Sequence, residues 1–250
     1  MKMDEKIREL TGSDGSQVTY DTYCDEGAKA IINLMPPSVL ETIKQVSSFT
    51  ASQSVSGRRI VNVLRNDGTY DQPCRRVDAS LRGRVLDSGD MNYALASDPI
   101  YYVHGETCFV KPAPDSSAGI MMYVGYPDID ASATDVGDVS YFPDEYEHLI
   151  VMYASIKELQ KQMYDMKAEL PTHNEYDGDS PSDITGTHNG WRSVRYYIET
   201  EEDIELSQAE MNALTAEMQQ FMGRYQWLQG QQVKLQQEYE QGIQGMMARG

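Results

Sequence analysis

Hydrophobic spacing divides the chain into a helical beginning, a strand-like middle and two long helical segments. Ala28, Ile31, Ile32, Leu34 and Met35 cluster at helical spacing between residues 25 and 35. Pro36-Pro37 ends that helix, because a proline ring cannot donate to the hydrogen-bond ladder. Pro37 also suits the first turn of a second helix, in which Val39, Leu40, Ile43 and Val46 follow. The polar run SSFTASQSVSG then reads as a loop, so residues 1–57 are expected to form two short helices and a loop.

From Ile60 to Tyr126 short apolar and β-branched runs alternate with Gly, Asp, Asn and Pro, the pattern of antiparallel strands. Ile60–Leu64 alternates and meets Asn66-Asp67-Gly68, where glycine accepts the positive φ of a tight turn. Ile100–Val103 and Thr107–Val110 flank His104-Gly105-Glu106 as a hairpin, and Ile120–Tyr126 adds a strand that Pro127 stops. An antiparallel β domain is therefore expected over residues 58–140.

A central helix is expected over 141–170. Pro143 fits its first turn, Asp144 and Glu145 complement its positive end, and Tyr146, Leu149, Ile150, Tyr153, Ile156, Leu159, Met163 and Met166 share one face. Residues 171–206 read as a loop or extended segment, and its polar stretch Pro171–Ser193 is long enough to imply a partner contact or mobility. Residues 207–250 read as a long helix and tail, opened by Ser207-Gln-Ala-Glu210 in a capping-box pattern. Met211, Leu214, Met218, Phe221, Tyr225, Leu228, Leu235 and Tyr239 keep 3-4 spacing, with Gln232 where another apolar residue is due. A helix of about 40 residues is about 60 Å long, against a diameter of about 36 Å for a compact domain of this length. It is expected to project, kink or pack on a neighbour, with Gly223, Gly230, Gly242 and Gly245 as places for kinks or close approaches. The tail GIQGMMARG is expected to fray. The fold class is α+β: a helical bundle with a long C-terminal helix plus a small antiparallel β domain.

Charge sharpens this division. The 250 residues carry a formal net charge of −18, which argues against generic binding to a phosphate backbone. Residues 58–84 run the other way, with seven arginines and three acids, whereas residues 85–250 hold nine bases and 28 acids. Arg65 and the ion-pair candidates Arg58, Arg59, Arg75, Arg76, Arg82 and Arg84 make up this strip. Three readings are open: solvated outer faces of strands, pairing with an acidic neighbouring subunit, and a phosphate contact that the bulk field opposes. Three widely spaced cysteines read as reduced thiols in a cytoplasm-like compartment, and no stretch has the composition of a membrane span or an export signal. Seventeen tyrosines beside four phenylalanines suit half-wet contact surfaces.

Candidate chemistry is sparse. His104, His148, His173 and His188 stand at no recognised metal or triad spacing, and the run Asp177-Gly-Asp179-Ser-Pro-Ser-Asp183 lacks the order of a calcium loop. Phosphate-loop, dinucleotide and nucleophile-elbow motifs are missing. No cofactor, no metal and no catalytic activity are expected.

One stretch has a familiar arrangement. Tyr101-Tyr102, a turn, an apolar strand, Pro112-Ala-Pro114, a strand running Tyr123 to Pro127, and then a helix opening with Pro143, Tyr146, His148 and Leu149 lie within Asp98–Met163. This stretch resembles the head-to-tail adaptor proteins of tailed bacteriophages, also called head-completion or neck proteins. The C-terminal helix and the Pro171–Ser193 loop lie outside the resemblance. The resemblance implies a homo-oligomeric ring, commonly of about twelve copies, that docks under the portal protein in the virion neck. Such a ring is assembled in the host cytoplasm and extends the DNA channel toward a tail-side neck, tube or nozzle protein. DNA would pass through without specific binding, and no membrane would be involved. A like-charged wall fits that role, because it forms no lasting phosphate contacts. Self-repulsion among copies makes a portal template expected. Portal or subunit contacts would then fall on Leu214, Phe221, Tyr225, Leu228, Leu235, Tyr239, Met246, Met247 and Arg249. The alternatives are another tail-tube or tail-hub component, or a non-viral coiled-coil binding module.

Overall fold

A computed structural model describes residues 2–114, 119–130, 139, 141–168 and 204–249. The Pro171–Ser193 segment, with its acidic run and with His173 and His188, lies outside the described residues. Among those described, the helices are α1 (Met3–Thr11), α2 (Gln17–Leu34), α3 (Pro37–Ile43), α4 (Glu147–Ala168) and α5 (Ile204–Ala248). The strands are β1 (Gln45–Phe49), β2 (Ser52–Ser54), β3 (Arg58–Asn66), β4 (Asp71–Pro73), β5 (Arg75–Arg76), β6 (Ile100–His104), β7 (Thr107–Lys111) and β8 (Gly119–Gly125). The fold is α+β, with a long C-terminal helix and two small sheets.

The chain separates into two compact units. The first holds Met1–Ile7, Ser16–Ala154 and Glu238–Gly250, and the second Arg8–Gly15 and Ser155–Gln237. In the first unit one sheet runs β1-β8-β3-β4 and the other β2-β7-β6-β5. Pairing is antiparallel except between β5 and β6. The two sheets bury Phe49, Val63 and Met121 of one against Cys108 and Val110 of the other, with Cys74 between them. A bulge between Ile60 and Asn62 shifts the register of β3 against β8. Because of the extra residue, Ile60 and Val63, three apart in sequence, both face the core between the sheets, while Val61 packs against the helical core.

That helical core gathers Ile7, Tyr20, Ile31, Ile32, Leu149 and Ile150 with Ile243 and Met246 from the end of α5. Burial pushes the thiols up, Cys24 and Cys74 to about 12 and Cys108 to about 11, so they are unreactive structural groups. In the second unit Leu159 and Met166 of α4 meet Leu228 and Leu235 of α5. A polar seam adjoins them, where Ser13 Oγ donates to the buried Glu158 Oε1 at 2.5 Å and Gln162 Nε2 donates to Thr11 O at 3.3 Å.

The sheets begin earlier than the sequence reading had them. SSFTASQSVSG, read as a loop, supplies β1 and β2. Val46, assigned to a helix, lies on β1 at 59% exposure while Phe49 is buried. Polar edge strands carry little hydrophobic alternation, so their pairing is set by the partner strands rather than by their own pattern. A third N-terminal helix, α1, was also missed, although Met3 and Ile7 are one turn apart and both buried. The hairpin at residues 100–110 forms with Gly105 at φ 61° in its turn, and Gly68 at φ 99° closes the β3–β4 turn.

Candidate functional site

The residues expected to carry assembly lie on α5 and in the arginine strip, and the structure treats the two groups differently. The helix begins at Ile204, a turn before the expected start, so Ser207 sits inside it and its hydroxyl donates to Ile204 O at 3.1 Å. The capping box is therefore corrected: a hydroxyl already within the helix bonds backward to a carbonyl instead of accepting at the end. The helix also runs through all four glycines without a break. Gly242 alone of the four meets a close neighbour, Leu149, whose Cδ2 occupies the place a Cβ would need, whereas Gly223, Gly230 and Gly245 face open space.

The tail is docked rather than frayed. Met246 is fully buried in the helical core of the first unit, Ile243 lies beside it, and Arg249 donates to Glu145 Oε2 at 2.6 Å. Tyr239 sits 6.1 Å from Tyr153, ring to ring. The order of these pairs, Arg249 with Glu145, Gly242 with Leu149 and Tyr239 with Tyr153, makes α4 and α5 antiparallel here. Met246 as a partner-facing residue is thus corrected, because its side chain is consumed by the chain's own core; Met247, at 48% exposure, faces out. Leu228 and Leu235 are likewise occupied within the second unit by Leu159 and Met166. Leu214 is buried and Phe221 half-buried, whereas Tyr225 is exposed along with Met211, Met218 and Met222. A depression of about 440 Å³ along α5 is lined, among the described residues, by Met211, Leu214, Met218 and Met222 with polar neighbours.

The fold absorbs part of the arginine strip and leaves Arg75, Arg76, Arg82 and Arg84 exposed. Arg59 donates to the carbonyls of Ile32 and Met35 and so satisfies the C-terminal end of α2, where a cation is favoured. Arg65 is buried and its Nε donates to Pro112 O at 3.1 Å. Arg58 lies 4.3 Å from the Tyr123 ring centre and donates to Ser54 O. Arg75 pairs with Asp98 at 3.1 Å and Arg84 with Asp90 at 3.5 Å, both near the surface. Two of the inter-subunit ion-pair candidates, Arg58 and Arg59, thus make contacts within the chain through Nη1, with no acid as partner in those contacts. Arg76, Arg82 and Arg84 stay exposed, with Arg82 Nη1 at 3.2 Å from His104 Nε2.

No protein-family model matches the sequence, and no curated protein matches it significantly. The described residues contain no cluster of three or more potential metal-ligating side chains, and no described helix is long and apolar enough to cross a membrane. His104 and His148 are exposed at the tip of a hairpin and on the first turn of α4.

The exposed apolar turn at Leu86, Met91 and Leu95 was missed by the sequence reading. No periodicity marks it, because its side chains are set out by successive turns rather than by a helix or strand repeat. The one local signal is its Asp-Ser-Gly-Asp spacing, which favours side-chain-to-backbone turns.

Proposed function

We propose that this chain is a non-catalytic virion component of a tailed bacteriophage: an adaptor ring that docks under the portal and extends the DNA channel toward the tail. The observation that carries the reading is the order of elements in Asp98–Met163, where the motif residues fall on β6, β7, β8 and α4 in that sequence. Tyr101 and Tyr102 sit on β6, Tyr123 on β8, and His148 and Leu149 open α4. The net charge of −18 supports it physically, since a like-charged channel wall gives DNA no cluster of bases at which counterions would be released.

A free-standing coiled-coil module is the weaker reading, because Leu228 and Leu235 are covered by α4 of the same chain. Quantitative mass spectrometry of purified virions tests the adaptor reading. A molar ratio near one to the portal subunit is expected. Absence from the particle, or a ratio near one half or one quarter, would move the chain out of the virion or down into the tail.

A further inference from the structure

Among the described residues the two sheets end in four edge strands, β1 and β4 in one, β2 and β5 in the other. Three of these edges are blocked. On β4, Cys74 N donates to Val63 O at 2.8 Å, which puts its neighbour Pro73, opposite Leu64, on the outer side of the strand with no N–H to offer. β5 is two residues long and both are arginines. On β2 the carbonyl of Ser54 already accepts from Arg58 Nη1 at 3.2 Å. Prolines, charges and short strands of this kind keep a sheet from pairing with another chain.

β1 has none of these devices. Val63 turns its backbone groups toward β4, so Leu64 turns its own toward β8, where it stands opposite Ile120. Ile120 therefore bonds to β3, and Gly119 and Met121 on either side of it bond to β1. This ties Ser47 and Phe49 to β8 and leaves the N–H and C=O groups of Val46 and Ser48 pointing away from the sheet. Among the described residues none hydrogen-bonds to these groups. Both side chains are exposed, Val46 at 59%.

Charge narrows what pairs there. β1 and β8 behind it contain no charged residue. Residues 36–57 hold one acid and one base, Glu41 and Lys44, and these pair with each other. Nucleic acid or a strongly charged peptide finds no counter-charge at this edge, and nothing in it repels an identical edge. Of the four edges a second copy presents, β1 is the one left open, and it fits itself. Turned antiparallel about Ser47, Val46 of each copy faces Ser48 of the other, each pair exchanging two backbone hydrogen bonds, and the exposed Val46 gains a cross-strand neighbour.

We propose that β1 pairs with β1 of a second copy, antiparallel and centred on Ser47, so that the two copies of the β1-β8-β3-β4 sheet become one continuous sheet. The contact is isologous and closes on two copies. Ring formation is left to other surfaces, and this pairing holds or fails apart from the adaptor reading. A single pair of short strands is a weak contact and forms at high chain concentration.

Single added cysteines in the full chain test it, because Cys24, Cys74 and Cys108 are buried and inert. In this register the two Ser47 Cα atoms lie about 4.5 Å apart as a non-hydrogen-bonded pair. The two Ser48 Cα atoms, offset by two residues, lie beyond the limit of about 7 Å for a disulfide. With oxidised glutathione as oxidant, Ser47→Cys should form a chain-to-chain disulfide about tenfold faster than Ser48→Cys, although Ser48 is the more exposed. Val46→Lys, a charge at an exposed edge position, should bring the Ser47→Cys rate down to the Ser48→Cys rate with an unchanged circular-dichroism spectrum. Should that variant not fold, Ser48→Lys makes the same test. Raising salt from about 0.05 to about 0.5 M should speed the reaction, since it screens the repulsion between two acidic chains and weakens nothing in a neutral contact. No product at position 47, equal rates at 47 and 48, an unchanged rate in a folded lysine variant, or a rate that falls with salt overturns the proposal.

Discussion

Along α5, the stretch from Leu228 to Met246 and the stretch from Met211 to Tyr225 share an amphipathic spacing and differ in what covers it. Leu228, Leu235, Ile243 and Met246 are buried, while Met211, Met218 and Tyr225, and Met222 beside them, are between 39% and 52% exposed, with Leu214 buried and Phe221 half-buried among them. Spacing decides which side chains share a face. Whether that face is closed depends on the opposing element, here Leu159 and Met166 for one part and the helical core of the first unit for another. The exposed stretch is also rich in methionine, whose flexible chain adapts to more than one neighbour.

Met246 is the most sensitive position of the buried stretch. Met246→Asp puts a charge at a fully buried position and should cost about 4 kcal/mol or more; Met246→Ala, should the first variant not fold, should cost about 2–5 kcal/mol by leaving a cavity. Urea midpoints measure both, and a loss under about 1 kcal/mol for Met246→Ala would mean that the tail is not packed. Next in size, Leu228→Ala should lose about 2–5 kcal/mol while Met222→Ala stays within about 0.5 kcal/mol. Equal losses would erase the contrast between the two stretches.

Two glycines of α5 differ in the same way. Gly242→Ala drives a methyl into Leu149 and should cost about 1–3 kcal/mol, whereas Gly230→Ala meets open space and should gain up to about 1 kcal/mol from helix propensity. Thermal melts of the two variants should therefore move in opposite directions.

The smallest effect concerns pH. The Asp25 carboxyl is raised above its ordinary value chiefly by burial, and the folded state binds its proton more tightly than the unfolded chain does. Stability from this group therefore falls as pH rises from about 4. Asp25→Asn, which keeps an acceptor for the Ile129 N–H, should be as stable as the wild type or more so at pH 7, with the difference vanishing below pH 4. A variant less stable at pH 7 than at pH 4, relative to wild type, would reverse the assigned sign.

Much of the fold was legible because it is locally encoded. The Tyr146–Met166 face predicted α4, and glycine turns at 68 and 105 predicted two hairpins. The parts that were not legible depend on distant partners. β1 pairs with β8 through Gln45 and Tyr123, far apart in sequence, and nothing in the Gln45-Val-Ser-Ser-Phe49 string names that partner. The arginines could be counted but not sorted, since whether Arg59 caps α2 and Arg76 faces solvent is set by where the chain returns. Met246 looked like a tail residue for the same reason: the leucine and isoleucine side chains that receive it, Leu149 and Ile150, are nearly a hundred residues earlier.

Self-repulsion at −18 per chain should hold copies apart until a template brings them together. Light-scattering mass after size exclusion, for the full chain alone and mixed with the portal protein of the same genome, tests this most directly. The account predicts a monomer or weakly associating chain that joins the portal in about twelve copies. A stable trimer or hexamer that ignores the portal would contradict it.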